Sequence, residues 1–283
     1  MSWEVTAPVS VCIIGCQRSG TTMSGHILGA HSKALLIDET DGLYPWVKSL
    51  GADGAAAFPA LPETMLAAVL QKYRHSGDWR QEPNAVEAVP SQASHLVLKA
   101  PNLTYGVTDY VERAGPCRLI APIRDPRAVV ASILNQTTIP MVANQARLLR
   151  NSAFATVYAD ELARLDDETI PAFEAAAWVW RIKNEIAEQA VENAGQGLRL
   201  KYEDLASGEE TALEALFAAA GLDRGLARPH WDVLSGVGPG SGNARNRPLD
   251  TTRIEAWRER FDRVEAERII EIAGPLAQRY GYA

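Results

Sequence analysis

Near the start of the chain, Val9-Ser10-Val11-Cys12-Ile13-Ile14 runs into Gly15-Cys16-Gln17-Arg18-Ser19-Gly20 and then Thr21-Thr22. The apolar, β-branched run predicts a buried parallel strand. Gly15 through Gly20 read as a tight polar loop, and Thr21 onward opens a helix. A strand, a glycine loop and a helix in that order point several backbone N–H groups and a helix N-terminus at one spot. Phosphate or sulfate binds there favourably. What remains open is which anion, and what chemistry follows.

The rest of the chain repeats the strand-then-helix rhythm. Thr21 to His31 is read as a helix whose Gly25 and Gly29 are small enough to pack close to a sheet. Leu35-Leu36-Ile37 forms a short second strand ending in Asp38-Glu39-Thr40-Asp41, a polar cluster of the kind that lies beyond strand C-termini where open α/β sheets keep their ligands. An amphipathic helix follows from about Pro62 to His75. His95–Lys99 is a third strand, broken by Ala100-Pro101 because proline cannot continue a central ladder, and a helix runs from about Thr104 to Ala114.

Cys117–Ile123 is the fourth strand, giving way to Arg124-Asp125-Pro126-Arg127, where proline after Asp125 marks a helix start. Residues 140–195 are mostly helical, and the stripe Phe173, Ala177, Trp180, Ala187 and Val191 reads as core. Leu198–Tyr202 is a fifth strand. Glu209–Ala220 and Ile254–Tyr280 are helices, separated by a glycine-rich loop, Gly236–Asn246. The expectation is a three-layer α/β fold: a parallel sheet of about five strands flanked by helices, in one domain over residues 1–283, with 140–195 as a helical insertion.

Composition narrows the partners. A net charge of −7 argues against nucleic acid or an anionic membrane surface as the main partner. No apolar run approaches the roughly 20 residues of a membrane span, and the N-terminal stretch does not read as a signal peptide. Three cysteines without CxxC spacing, Cys12, Cys16 and Cys117, read as reduced thiols of a cytoplasmic protein. Core packing is the plain reading for them; Cys16, in the glycine loop, is also a candidate reactive thiol.

The loop itself discriminates between anions. Gly15, Gly20 and Thr22 fit the nucleotide-binding pattern G-x-x-x-x-G-K-[ST], but Thr21 holds the lysine position. That lysine normally reaches the β/γ-phosphates, and the hydroxyl after it binds Mg²⁺. Here the cation has moved into the loop as Arg18, and no acidic Mg²⁺ ligand stands out at a strand end. The loop suits a tetrahedral anion but poorly suits a Mg²⁺–nucleoside triphosphate.

At this point the chain resembles the sulfotransferases that use 3′-phosphoadenosine 5′-phosphosulfate. Gln17-Arg18-Ser19-Gly20-Thr21-Thr22 is similar to their 5′-phosphosulfate loop, and Arg124-Asp125-Pro126-Arg127 followed by Ser132 is similar to their 3′-phosphate motif. Lys201-Tyr202-Glu203-Asp204-Leu205 resembles the strand-end segment that follows, and Pro248–Tyr280 the C-terminal region. The resemblance implies a P-loop-type fold and a donor site made of Arg18, Ser19, Gly20, Thr21, Thr22, Arg124, Ser132 and Tyr202. Ser241, Arg245 and Arg247, in or just past the glycine-rich loop, would close over the 3′-phosphate. Arg124 at a strand end and Ser132 two turns into the next helix can converge on one dianion, a fixed cation plus a hydroxyl donor.

Sulfuryl transfer needs an aimed acceptor atom, a base for its proton and cations on the bridging oxygen. Arg18 and the loop amides serve the sulfuryl and 5′-phosphate oxygens, and Lys99 is the second cation. For the base, Glu39 ends the second strand beside the loop. Within the family the pattern looks closest to tyrosylprotein-type and related bacterial enzymes, whose glutamate base stands at this spacing from the loop arginine. Their His-Pro and Gly-Glu-Glu-Thr pattern is here His31-Ser32 and Ile37-Asp38-Glu39-Thr40. His31, at the end of the first helix, reads as a helix-end or packing residue.

The reading implied is a metal-independent transferase moving a sulfuryl group to a hydroxyl or amine and leaving adenosine 3′,5′-bisphosphate. The acceptor is a small molecule, lipid, sugar or tyrosine-like group, held under Trp46, Phe58 and the 140–160 helices. A homodimer is compatible with such a chain. The rivals are a P-loop small-molecule kinase, which Thr21 disfavours, and a catalytically silent nucleotide-binding module, which would need neither Glu39 nor Lys99.

Overall fold

The computed structural model describes residues 9–39, 93–114, 117–227, 249 and 251–282. Five strands form one all-parallel sheet: β1 (Val9–Ile13), β2 (Ala34–Asp38), β3 (His95–Lys99), β4 (Cys117–Ile123) and β5 (Gly197–Lys201), in the spatial order β2-β3-β1-β4-β5. Successive residues of β1 to β4 are buried rather than alternating, as expected of a sheet covered on both faces. The covering helices are α1 (Thr21–Gly29), α2 (Val107–Ala114), α3 (Pro126–Leu134), α4 (Met141–Arg150), α5 (Ala159–Leu165), α6 (Ala172–Asn193), α7 (Tyr202–Ala206), α8 (Glu210–Ala220) and α9 (Arg263–Arg279). Helices α1 and α8 pack on each other and on the sheet, while α6, with α3 and α9 against it, packs on β4 and β5.

The close approach of α1 to the sheet depends on its glycines. A Cβ on Gly29 would sit 2.8 Å from Leu36 Cβ, and one on Gly25 would sit 3.3 Å from Lys99 Cβ. Helix α3 starts as its sequence requires, with Asp125 capping the Arg127 N–H at 2.8 Å and Pro126 at the first position.

Three expected elements differ in detail. The Thr104–Ala114 helix is instead a 3-10 turn, Pro101–Gly106, leading into α2, because Pro101 supplies no N–H and Thr104 Oγ bonds back to Pro101 O. The fifth strand stops at Lys201, and Tyr202 begins the short α7. The single helix expected over Ile254–Tyr280 is a 3-10 turn, Ala256–Glu259, followed by α9, which Asp262 caps and which kinks where Gly274 takes φ 68° ahead of Pro275. The block 140–195 holds α4, α5 and α6. The helix read over 62–75, the residues Thr40, Asp41, Trp46 and Phe58, and the Gly236–Asn246 loop lie outside the described residues.

Sheet order decides where the chemistry collects. β1 lies between β3 and β4, so the connections leave it on both sides, and a crevice opens above its C-terminal end. The register aligns Ile13 with Lys99 and Ile120, and Asp38 with Lys99. The loop after β1, Glu39, Lys99, Arg124 and Tyr202 therefore all stand along one edge of the sheet.

Candidate active site

The loop after β1 leaves α1 open at its N-terminus. Gly20 caps the helix in the left-handed region, φ 93°, with no side-chain cap and no acidic residue in the first turn. The first N–H groups of the helix thus have no side-chain acceptor, and the local potential is positive. Tyr202 packs so tightly on this point that a Cβ on Gly20 would meet its ring at 2.8 Å. Arg18 also adopts a left-handed backbone, φ 70°, a strained state for a non-glycine residue that turns its carbonyl toward Arg124. Ser19 and Thr21 are buried beside it.

Arg18 and the β4 edge meet. Arg18 Nε donates to Ser132 Oγ at 2.8 Å. Arg124 Nη1 donates to Arg18 O at 3.2 Å and Nη2 to Arg253 O at 2.5 Å, while its guanidinium lies 4.2 Å over the Tyr202 ring. Trp180 on α6 fixes the Arg124 backbone by donating Nε1–H to its carbonyl at 2.9 Å. Burial lowers the pKa of Arg18 first, and the charges of Arg124 and Arg253 lower it further. Arg124 is likewise held down by burial, and its buried Nε has no acceptor among the described residues. The nearest carboxylates are engaged elsewhere. Asp125 pairs with Arg127 at 2.7 Å, and Glu203 accepts from Asp125 N–H at 3.0 Å and Tyr282 OH at 2.8 Å. Guanidiniums crowded in this way, with their local acids occupied, form a site that an anion relieves.

On the other side of the loop the charges are mixed. Lys99 Nζ pairs with Glu39 Oε1 at 2.7 Å and Asp38 Oδ1 at 3.2 Å. Lys99 and Asp38 are buried, whereas the Glu39 side chain is 29% exposed. Glu39 is thus the member that can meet an incoming molecule. The β2–β3 register, which sets Asp38 beside Lys99, produces this pairing across more than half a hundred residues of sequence.

Behind the loop lies a residue that the sequence reading did not single out. Lys183 on α6 is fully buried, and its ammonium donates to Gln17 Oε1 at 2.9 Å, Pro101 O at 2.5 Å and Gln145 Oε1 at 3.2 Å. Gln17 and Gln145 both donate onward to Asn102 Oδ1, the latter at 3.1 Å. Burial brings the Lys183 pKa down to about 7, against smaller upward pulls from Cys16 and Glu39. Its signal in the sequence is a cation on an apolar stripe, three residues after Trp180 and four before Ala187. Arg253 was missed too, being an exposed arginine with no motif around it in the sequence.

Cys16 does not carry the reactivity considered for it. It is buried, and burial pushes its thiol up to about 11, so little thiolate forms at neutral pH. His31 packs at the end of α1, its Nδ1 accepting from the Lys33 N–H at 2.9 Å, away from the strand edge. Thr22 stands in the first turn of α1. Ser241, Arg245 and Arg247 lie outside the described residues. Among the described residues no helix is long and apolar enough to cross a membrane.

Comparison with known proteins agrees with the fold. The sulfotransferase domain of the Synechococcus PCC 7002 olefin synthase superposes with a TM-score of 0.52 at 18% identity, covering 97% of this chain and 96% of that one. The sulfotransferase domain from the curacin biosynthetic pathway gives 0.54 at 14% identity, covering 99% of both. These likenesses establish the fold. No curated protein sequence matches the chain significantly. The family model described as "Sulfotransferase family" matches residues 8–225, spanning every strand of the sheet and the loop, Glu39, Lys99, Arg124 and Ser132. The chain belongs to the sulfotransferase family and is a transferase of sulfuryl groups.

Proposed function

We propose that the protein transfers the sulfuryl group of 3′-phosphoadenosine 5′-phosphosulfate to a hydroxyl or amine of a small molecule. The observation that carries this reading is the division of the sheet edge: an uncapped helix N-terminus with crowded arginines on one side, and a partly exposed carboxylate paired with a buried ammonium on the other. The loop amides, Arg18, Ser19, Gly20, Thr21 and Thr22 would hold the 5′ end of the donor. Arg124, through its buried Nε, and Ser132 would hold the 3′-phosphate, with Arg253 adding charge and Tyr202 packing beside them. Ser241 and Arg247 belong to the same proposed site.

In the reaction the acceptor O–H or N–H gives its proton to the Glu39 carboxylate as the acceptor atom bonds to sulfur. The bond from sulfur to the bridging oxygen breaks, and its electron pair stays on the 5′-phosphate of adenosine 3′,5′-bisphosphate. Lys99 and Arg18 stabilise the charge growing on that oxygen. None of these steps calls for a metal.

The test is incubation of the purified chain with the donor and a pool of hydroxylated and amino metabolites, read by mass spectrometry. A donor-dependent product heavier by about 80 Da, the mass of SO₃, is expected. Turnover of Mg²⁺–ATP with phosphorylated product, and no response to the phosphosulfate donor, would replace this reading with the kinase one. Binding of adenosine 3′,5′-bisphosphate without any sulfated product would favour a silent binding module.

A further inference from the structure

Lys183 is, among the described residues, one of the largest side chains wholly out of solvent, and it makes no ion pair with a carboxylate. Burying an ammonium against neutral acceptors is costly, and a well-packed apolar residue in the same stripe would serve stability as well or better. The position of its three bonds suggests another purpose. One goes to Gln17 in the donor loop, one to Pro101 in the turn that follows Lys99, and one to Gln145 on α4. Asn102 Oδ1, accepting from both amides, closes the ring. Thr104 adds a neighbouring tie, accepting from Gly15 N–H at 2.8 Å.

We propose that Lys183 is a positioning residue: its ammonium clamps the donor loop to the segment carrying Lys99, and so sets the distance between the donor's sulfur and the Glu39–Lys99 pair. The proposal rests on the sulfuryl-transfer reading above. The physical reason is geometric. Gln17 adjoins Arg18, and Pro101 lies two residues past Lys99, so one buried point fixes both sides of the reaction at once. An error of an ångström there is felt strongly in the rate but little in binding.

The clamp is complete only while the ammonium is charged, since a neutral amine has two N–H bonds for three acceptors. The titratable and charged groups around it are Cys16 in the loop, Glu39 beyond β2 and Tyr105, whose ring centroid is 5.1 Å from Nζ; Arg199 of β5 acts on Cys16 and donates to Asn184 Oδ1, and α4 presents the neutral Gln145.

The experiment compares the full-length wild type with Lys183→Met and Gln17→Leu, by native-state hydrogen exchange and steady-state kinetics. In Lys183→Met the amides of residues 15–20 and 102–104 are expected to lose protection together, by about tenfold or more. Turnover at saturating donor and acceptor is expected to fall about tenfold or more, with the donor KM changed less than about threefold. The alkaline limb of the wild-type turnover profile, near the lysine's pKa of about 7, should disappear. In Gln17→Leu the 15–20 amides should loosen most, the 102–104 amides less because Lys183 still holds Pro101 O, with a smaller loss of turnover. If Lys183→Met does not fold, Gln17→Leu decides the matter.

A folded Lys183→Met with reduced thermal stability but unchanged turnover and pH profile overturns the proposal. So does unchanged exchange and turnover in Gln17→Leu. A wild type that makes no sulfated product overturns the sulfuryl-transfer reading instead, and the paired loss of exchange protection still decides the clamp.

Discussion

The two sides of the loop after β1 are built from the same strand-end geometry but opposite electrostatics. On the β4 side, Arg18, Arg124 and Arg253 crowd one another while Asp125 and Glu203 are bound to other partners. On the β3–β2 side, Lys99 is matched by two carboxylates, one of them partly exposed. An excess of fixed cations binds an anion but cannot take a proton. A carboxylate held against an ammonium can take one but does not attract a polyanion. The difference between the halves is the ground on which we propose donor binding for the first and proton transfer for the second.

Substitutions can break that division, beginning with the largest effect. Glu39→Gln keeps the shape of the β2 end and removes the proposed base, so turnover should fall by about 10²- to 10⁴-fold. Binding of adenosine 3′,5′-bisphosphate, measured by calorimetry, should stay within about threefold, since the donor half is untouched. Arg124→Ala should do the reverse. It removes a buried cation whose charged hydrogen bonds are worth about 1.5–3 kcal/mol, so bisphosphate affinity should drop about ten- to hundredfold in the same titration.

The Lys183 pKa gives a graded test of the base on which both halves stand. The group sits at about 7 in the folded chain and near 10.5 when unfolded. Between those values the unfolded chain binds more protons, so folding stability should rise with pH there and carry its full cost below about pH 7. Relative to Lys183→Met, the wild type should gain up to about 1.4 kcal/mol per pH unit above neutrality in urea unfolding. The smallest effect sharpens the comparison. Arg253→Ala keeps the carbonyl that Arg124 uses but deletes an exposed charge, so bisphosphate affinity should weaken by only a few-fold, and high salt should erase the difference.

Much of this was legible in the chain. The alternation of apolar runs with glycine or proline breaks identified β1, β3 and β4 and placed Glu39, Lys99, Arg18 and Arg124 at strand ends. Periodicity reports which elements form but not which lie side by side. That Lys99 meets Glu39 and Asp38, and that Arg18 reaches Ser132, follows from the order β2-β3-β1-β4, which no local pattern encodes. Lys183 was hidden for a related reason. It stands on an apolar stripe that reads as core, and only the polar ends of two loops arriving from other strands give its charge a use. Cys16 shows the converse. Its place in the loop suggested reactivity, but the fold encloses it completely.

The assignment of the cationic half is tested most directly by a calorimetric titration with adenosine 3′,5′-bisphosphate against adenosine 5′-monophosphate. Arg124 and Ser132 should recognise the extra phosphate, so the bisphosphate is expected to bind at least about tenfold more tightly, and Arg124→Ala should remove most of that preference. Equal affinity for the two nucleotides, or a preference that survives Arg124→Ala, would contradict the account.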